Sequence, residues 1–213
     1  MTSALDNNWG KLKFTIDQIR IEYHKNADIH PSEQMSDLLI LGEDRRFRYH
    51  CGVDPIALCR AAWRTYGCGR REGASTIAMQ LVRTLTGQYE KTFARKFDEI
   101  QLAIRLTKYV RRKEIPTLYL WAAYYGWRMN NFSQACNRLG INPNASSLQE
   151  AAQLVARLKY PQPQILSPNR ARQIGQRCRY LIHRYRITQP YLKSRTVTKN
   201  GTFHSPSIVA ESM

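Results

Sequence analysis

An all-α fold is predicted, and three observations predict it. Apolar residues recur with helical rather than alternating period along most of the chain, and helix start and stop signals bracket those stretches. No strand-type alternation of useful length appears, and no internal repeat does. A length of 213 residues suits one domain with tails and is enough to bury a core.

The elements follow in order. Residues 1–29 are polar and charged and read as an N-terminal extension, lacking an apolar stretch of signal-peptide length. Nowhere does the chain hold the run of about 18 apolar residues that a membrane span needs, so neither export nor a span is expected from it. Residues 30–190 read as the domain. The apolar run Leu38 to Leu41 leads into a polar cluster, Glu43 to Asp54. Asp54-Pro55 is an N-cap followed by proline at the first helical position, opening a helix to about Tyr66, before Gly67. Gly67 to Gly73 holds three glycines, with Arg70 and Arg71, and reads as a mobile loop. Further helices are expected at about 75–86, 91–109, 114–125, 147–159 and 168–186. Ser147-Leu148-Gln149-Glu150 is a capping box, and Pro161 and Pro163 stop the helix it starts. Apolar periodicity is lost from about Lys193, so residues 191–213 read as a disordered tail.

Within these helices the faces carry two kinds of information. Ile77, Leu81, Val82 and Leu85 form an apolar face, with Thr76, Gln80 and Arg83 opposite, an arrangement equally expected of an ordinary helix with its wet side outward. In the next helix Phe93, Phe97, Ile100 and Ile104 read as the core stripe. Arg95 and Glu99 share another face with Leu102 and Leu106. A surface ion pair contributing about 0.3 kcal/mol is one account of that face, and a groove is the other. Glu43, at the end of a buried segment, stands where a carboxylate is tuned for acid or base work, although a solvated turn has the same pattern.

Lys and Arg outnumber Asp and Glu 33 to 16, a net charge of +17. That excess points to a polyanionic partner: nucleic acid, anionic lipid or a phosphorylated substrate. The five cysteines are odd in number and hold no C-x-x-C pair, which suggests neither a zinc site nor a disulfide framework. No zinc-finger or RNA-recognition signature supports nucleic acid.

Together the ordered motifs resemble those of the peptidoglycan glycosyltransferase (transglycosylase) family, found in class A penicillin-binding proteins and in monofunctional transglycosylases of the cell wall. The first motif, E-D-x-x-F-x-x-H-x-G-x-D, is met by Glu43, Asp44, Phe47, His50, Gly52 and Asp54. The second, G-x-S-T-I-x-x-Q-L, is met by Gly73, Ser75, Thr76, Ile77, Gln80 and Leu81, with Arg83 two places on. Arg95, Lys96 and Glu99 give the third, R-K-x-x-E, and a fourth is recognisable in Ile115, Leu118 to Leu120, Tyr124 and Gly126. The likeness spans about residues 30–186. It departs at Met79 and Thr84, where Gln and Asn are usual, at Thr117 and Trp121, where Glu and Asn are, and at Pro116, which replaces an apolar residue.

The resemblance implies a lysozyme-like helical fold and polymerisation of lipid II. In that reaction the 4-hydroxyl of one disaccharide attacks the anomeric carbon of a growing strand, expelling undecaprenyl pyrophosphate with inversion. It implies Glu43 as general base, with Asp44 and His50 holding its surroundings. Phe47, Ser75, Thr76 and Gln80 would line the substrate cleft. Arg83, Arg95 and Lys96 would meet the leaving pyrophosphate, whose charge grows as the bond breaks. Glu99, the second catalytic candidate, would orient those cations or help hold a divalent ion, Mg2+ or Mn2+, with no tightly bound cofactor. Lipid II, the growing glycan strand, an anionic membrane surface and a membrane-anchored partner protein are the implied partners. The outer face of the cytoplasmic membrane is the implied site of action, and with no signal or span read from the sequence a cytoplasmic place or a truncated chain is the alternative. Ile56, Leu58, Trp63 and Tyr66 lie in the region family members dip into the bilayer, with core packing the preferred reading for some of them. Two other classes fit the residues: a lysozyme-like hydrolase using Glu43 as proton donor, and a non-catalytic cell-wall or nucleic-acid binding protein.

Overall fold

Local capping signals set most of the helix boundaries. The computed structural model describes residues 4–26, 29–69, 73–90 and 92–200, with side chains through residue 189. Its α-helices are α1 (Ala4–Lys25), α2 (Glu33–Glu43), α3 (Pro55–Gly67), α4 (Ile77–Thr86), α5 (Phe93–Tyr109), α6 (Glu114–Ala122), α7 (Phe132–Leu139), α8 (Leu148–Lys159) and α9 (Pro168–Asn200). Among the described residues there are no strands, only isolated bridges from Gly126 to Met129 and to Gln162. The chain is all-α, as predicted.

Ser32 opens α2 by accepting from the Met35 N–H at 3.2 Å. Asp54 opens α3 by accepting from Ile56 and Ala57. Thr76, Thr92 and Asn131 cap α4, α5 and α7 in the same way, and the Ser147–Glu150 box forms at α8. Each such cap contributes about 1 kcal/mol by satisfying a helix-end N–H.

The core is built around α4. Every residue from Ile77 to Val82 is buried, because α4 is packed by α1, α5 and α6. The outward wet face allowed by its sequence is therefore mostly covered: Thr76 and Gln80 are buried polar residues, and Arg83 is half-buried. On the other side, α2 packs on α6, α8 and α9.

Three sequence expectations are corrected here. The segment set apart as an extension contributes α1 to the core, where Leu12 and Ile16 are buried and Trp9, Ile19 and Tyr23 pack alongside. That apolar stripe recurs every three or four residues within a polar average, which is why composition hides it. An ion pair and a hydrogen bond fasten it: Arg20 Nε lies 2.6 Å from Glu114, and the Tyr109 hydroxyl donates to Asp17 at 2.8 Å. The second correction concerns α5, which buries Glu99, Leu102, Ala103 and Leu106; of the stripe expected there, Phe93 and Phe97 are 90% and 62% exposed, while Ile104 is half-buried and Ile100 packs against the core. Both faces of α5 carry apolar residues, so periodicity alone could not choose between them. Leu102→Ala is accordingly expected to lower stability by about 2–5 kcal/mol, whereas Phe93→Ser changes it by under about 0.5 kcal/mol. Thermal melts reading the reverse order would restore the phenylalanine stripe. The third is α7, expected by no element of the sequence reading, which Asn131 starts and Gly140, at φ 65°, ends.

α6 stops at Ala122, short of the expected 125, because the chain turns into a bridged segment in which the Tyr125 N–H donates to Met129. Helix α9 continues through Asn200, beyond the expected 186; of the disordered tail expected there, residues 201–213 lie outside the described residues. So do Arg70 and Arg71 of the expected mobile loop. Among the described residues no helix is long and apolar enough to cross a membrane.

The departures from the family pattern have structural places. Met79 is fully buried in α4, and Trp121 stacks on Phe132 at 6.2 Å and meets Tyr23 edge-on at 5.4 Å. Pro116 sits in the first turn of α6, where its missing N–H has no intrahelical partner to lose.

Candidate active site

Glu43 is the last residue of α2, where helix carbonyls leave partial negative charge. A cation meets it there: Arg177, reaching from α9, donates through Nη2 to Glu43 Oε1 at 2.6 Å and to the Gly42 carbonyl at 2.8 Å. Gln80 Nε2 approaches the other Glu43 oxygen at 3.4 Å. Gly42 makes room for this, since a Cβ there would lie 2.9 Å from the same Arg177 nitrogen and 2.7 Å from Leu181.

Next in the chain, Asp44 turns inward. It is 6% exposed and accepts from the Ile77 N–H at 3.1 Å and from His50 Nε2 at 2.9 Å. A buried carboxylate needs such partners, and the N-terminus of α4 adds its positive end. Phe47 is buried beside His50 at a ring separation of 6.3 Å. Thr76 is tied to the same floor, its hydroxyl donating to the Gly52 carbonyl at 2.5 Å. Gly52, at φ 89°, lies where a Cβ would collide with the Ala103 backbone of α5. Glycine is needed at that position on both counts.

A second cluster lies on α5. Glu99 is 3% exposed and accepts from Arg95 Nη1 and, at 2.6 Å, from Lys96 Nζ. The same Lys96 nitrogen donates to Ser75 Oγ at 3.1 Å. Ser75 joins the two clusters, because it also faces a cavity of about 730 Å³ whose wall includes Glu43, Asp44, Thr76 and Gln80. Six cationic side chains line that cavity, Arg45, Arg46, Arg60, Arg64, Lys159 and Arg177, against the carboxylates of Glu43, Asp44 and Asp54. Such a basin favours an anionic ligand.

The sequence-predicted residues therefore divide. Glu43, Asp44, Ser75, Thr76 and Gln80 line the cavity. Phe47 and His50 stand behind it, and Arg95, Lys96 and Glu99 reach it through Ser75. Arg83 is outside the lining, on the side of Tyr119. Burial, then the nearby Glu43 charge, pushes the Tyr119 hydroxyl well above the usual tyrosine range, with Arg83 acting oppositely. Arg177, Lys159, Arg45 and Tyr180 were not singled out in the sequence. Arg177 is one of many arginines along α9, and only folding selects it.

Among the described residues no three His, Cys, Asp or Glu side chains group as a metal site. Glu99 does not fit a divalent ion, because both its oxygens already accept from cations and a metal there would sit against Arg95 and Lys96. All five cysteines are free, with Cys136 and Cys178 buried. Burial pushes the Cys136 thiol up to about 12.

Comparison with known proteins gives the same region. A transglycosylase family model matches residues 13–186. Penicillin-binding protein 1A of Escherichia coli is 33% identical over 183 residues, covering 82% of this chain and 21% of that protein. The Aquifex aeolicus penicillin-binding protein 1A is 36% identical over 154 residues, 71% of this chain and 21% of its own. Escherichia coli penicillin-binding protein 1C is 37% identical over 142 residues, 65% and 18% respectively. The chain thus spans about a fifth of the length of these relatives. The matched region begins inside α1, whose stripe lies in the core, and runs into α9, which supplies Arg177. On that extent of match and the helical, lysozyme-like fold, the chain belongs to the transglycosylase family.

Proposed function

We propose that this chain is a peptidoglycan glycosyltransferase that polymerises lipid II by inverting transfer, with undecaprenyl pyrophosphate as leaving group. One observation carries the reading: Glu43 stands on the wall of a strongly cationic cavity, held from two sides by Arg177 and Gln80. In its anionic form Glu43 pairs with Arg177, and that form takes the proton from the attacking 4-hydroxyl. The hydroxyl oxygen bonds to the anomeric carbon as the bond to the pyrophosphate oxygen breaks, and the leaving group keeps the electron pair. Its growing charge is met by guanidinium and ammonium groups. Arg83, Arg95 and Lys96 are the proposed contacts; the Lys96 bond to Ser75 on the cavity wall supports Lys96 and its neighbour Arg95, Arg83 stands outside that wall, and the cavity's own arginines add to them. No step is routed through a metal.

A hydrolase would need Glu43 to carry the proton, and a protonated Glu43 gives up its charge pair with Arg177. Incubating the protein with labelled lipid II in detergent tests the proposal directly. Glycan polymer is expected. Cleavage of finished peptidoglycan without polymer would point to the hydrolase, and binding without either product to a non-catalytic protein.

An anionic membrane as partner is supported by α3, where Ile56, Trp63 and Tyr66 are 55%, 73% and 83% exposed. The core packing preferred for some of the four residues is not seen at these three, and Leu58 is half-buried. Basic residues beside such a patch each add about 1 kcal/mol of adsorption to an anionic surface. A Trp63→Ser, Tyr66→Ser double variant should bind vesicles of anionic lipid about tenfold more weakly in co-sedimentation, through the lost apolar burial. Its melting temperature should hardly move. Action at the outer face of the cytoplasmic membrane goes with this reading.

A further inference from the structure

We propose a second binding site, outside the cavity, at Trp127, Arg128 and Arg138, and assign it the carboxylates of an acidic peptide borne on a glycan strand. The guanidinium carbons of Arg128 and Arg138 lie 4.4 and 4.7 Å from the centroid of the one Trp127 ring, so they are at most about 9 Å apart. Two like charges held this close repel, yet among the described residues neither has a carboxylate partner. A guanidinium drawn to a ring face still has N–H donors to offer, and a carboxylate matches their planar fork.

The backbone fixes where Arg128 stands. Arg128 has φ 56°, and among the described residues it is the non-glycine residue with positive φ. It stands third in the turn Gly126–Met129, which the Met129 N–H closes on the Gly126 carbonyl at 2.9 Å, so the conformation is that of the turn and it holds Arg128 next to Trp127. Contacts with Gln162 hold the turn: the Trp127 N–H donates to the Gln162 carbonyl at 2.8 Å, and the Gln162 N–H to Tyr125 at 3.0 Å.

The same link ties this stack to the cavity. Tyr160 precedes Gln162 by two residues, a reach of at most about 7 Å. Its ring lies 5.9 Å from both Lys159 Nζ and the Arg170 guanidinium, and Lys159 lines the cavity that holds Glu43. Cations on aromatic faces therefore continue from the cavity to Trp127. A strand leaving the cavity with acidic peptides has the complementary charge. The identity of the ligand rests on the proposed polymerase reading.

The test uses the whole protein and a soluble peptidoglycan fragment bearing its acidic peptides, beside the same fragment with its carboxyls amidated, followed by fluorescence anisotropy. An Arg128→Gly, Arg138→Ala double variant should bind the acidic fragment about tenfold more weakly, and amidation should weaken wild-type binding by a similar factor. Arg128→Gly also relieves the positive φ, so an undiminished melting temperature alongside lost binding separates the site from the fold. Equal affinity of variant and wild type would overturn the site, as would a defect seen only with anionic vesicles. Lipid II polymerisation is assayed in parallel. Polymer formed without carboxylate-dependent binding sinks this inference alone, and carboxylate-dependent binding without polymer sinks the polymerase reading alone.

Discussion

Glu43→Gln is expected to lower glycan polymer formation by about a hundredfold to ten-thousandfold, the usual worth of a positioned general base. The amide keeps the size of the side chain and an oxygen for the Arg177 fork, which now reaches Glu43 at 2.6 Å. What it loses is the capacity to take up the hydroxyl proton. The variant should therefore melt close to wild type and bind lipid II while forming little polymer. Gel analysis of labelled lipid II products gives the answer, and undiminished polymer would remove Glu43 from the mechanism.

The second large effect is on folding. Asp44→Ala is expected to destabilise the protein by about 3 kcal/mol, because the lost carboxylate leaves the His50 and Ile77 donors buried without an acceptor. Among the described residues His50 has no alternative partner, and its Nδ1 is already buried and unbonded. The start of α4 would also lose the charge at its positive end. For a chain of this length such a change lowers the melting temperature by about 10 °C. Asp44→Asn, which keeps one acceptor oxygen, should fall between. A shift under about 2 °C for the alanine variant would mean that Asp44 does not hold the floor of the site.

Adjacent in sequence, Glu43 and Asp44 thus act in different ways. The end of α2 divides them: Glu43 faces the cavity, and Asp44, the C-cap, turns under it to reach α4. The motif showed that two carboxylates stand together. It did not show which was wet.

The same limit applies to α5. Its two apolar stripes have equal claim by period, and of the one with the larger side chains the phenylalanines are exposed while Ile100 packs against the core. The buried stripe includes Glu99, which burial alone would disfavour. Arg95 and Lys96 offset that, and Lys96 reaches Ser75 only because α4 and α5 are packed together. In α1 the reverse occurred, since a stripe too sparse to register in a polar average proved sufficient once α4, α5 and α6 offered a surface for it.

What the sequence by itself determined is what depends on near neighbours. Caps and their helices, the helical class, the excess of positive charge and the ordered motifs all rest on residues a few positions apart. Tertiary structure alone decided which faces are dry and which distant side chains meet. Arg177 on Glu43, separated by 134 positions, is the clearest case. Its place among the arginines of α9 is set by how α9 crosses α2, and that crossing follows from the summed burial of many side chains, which no local pattern encodes.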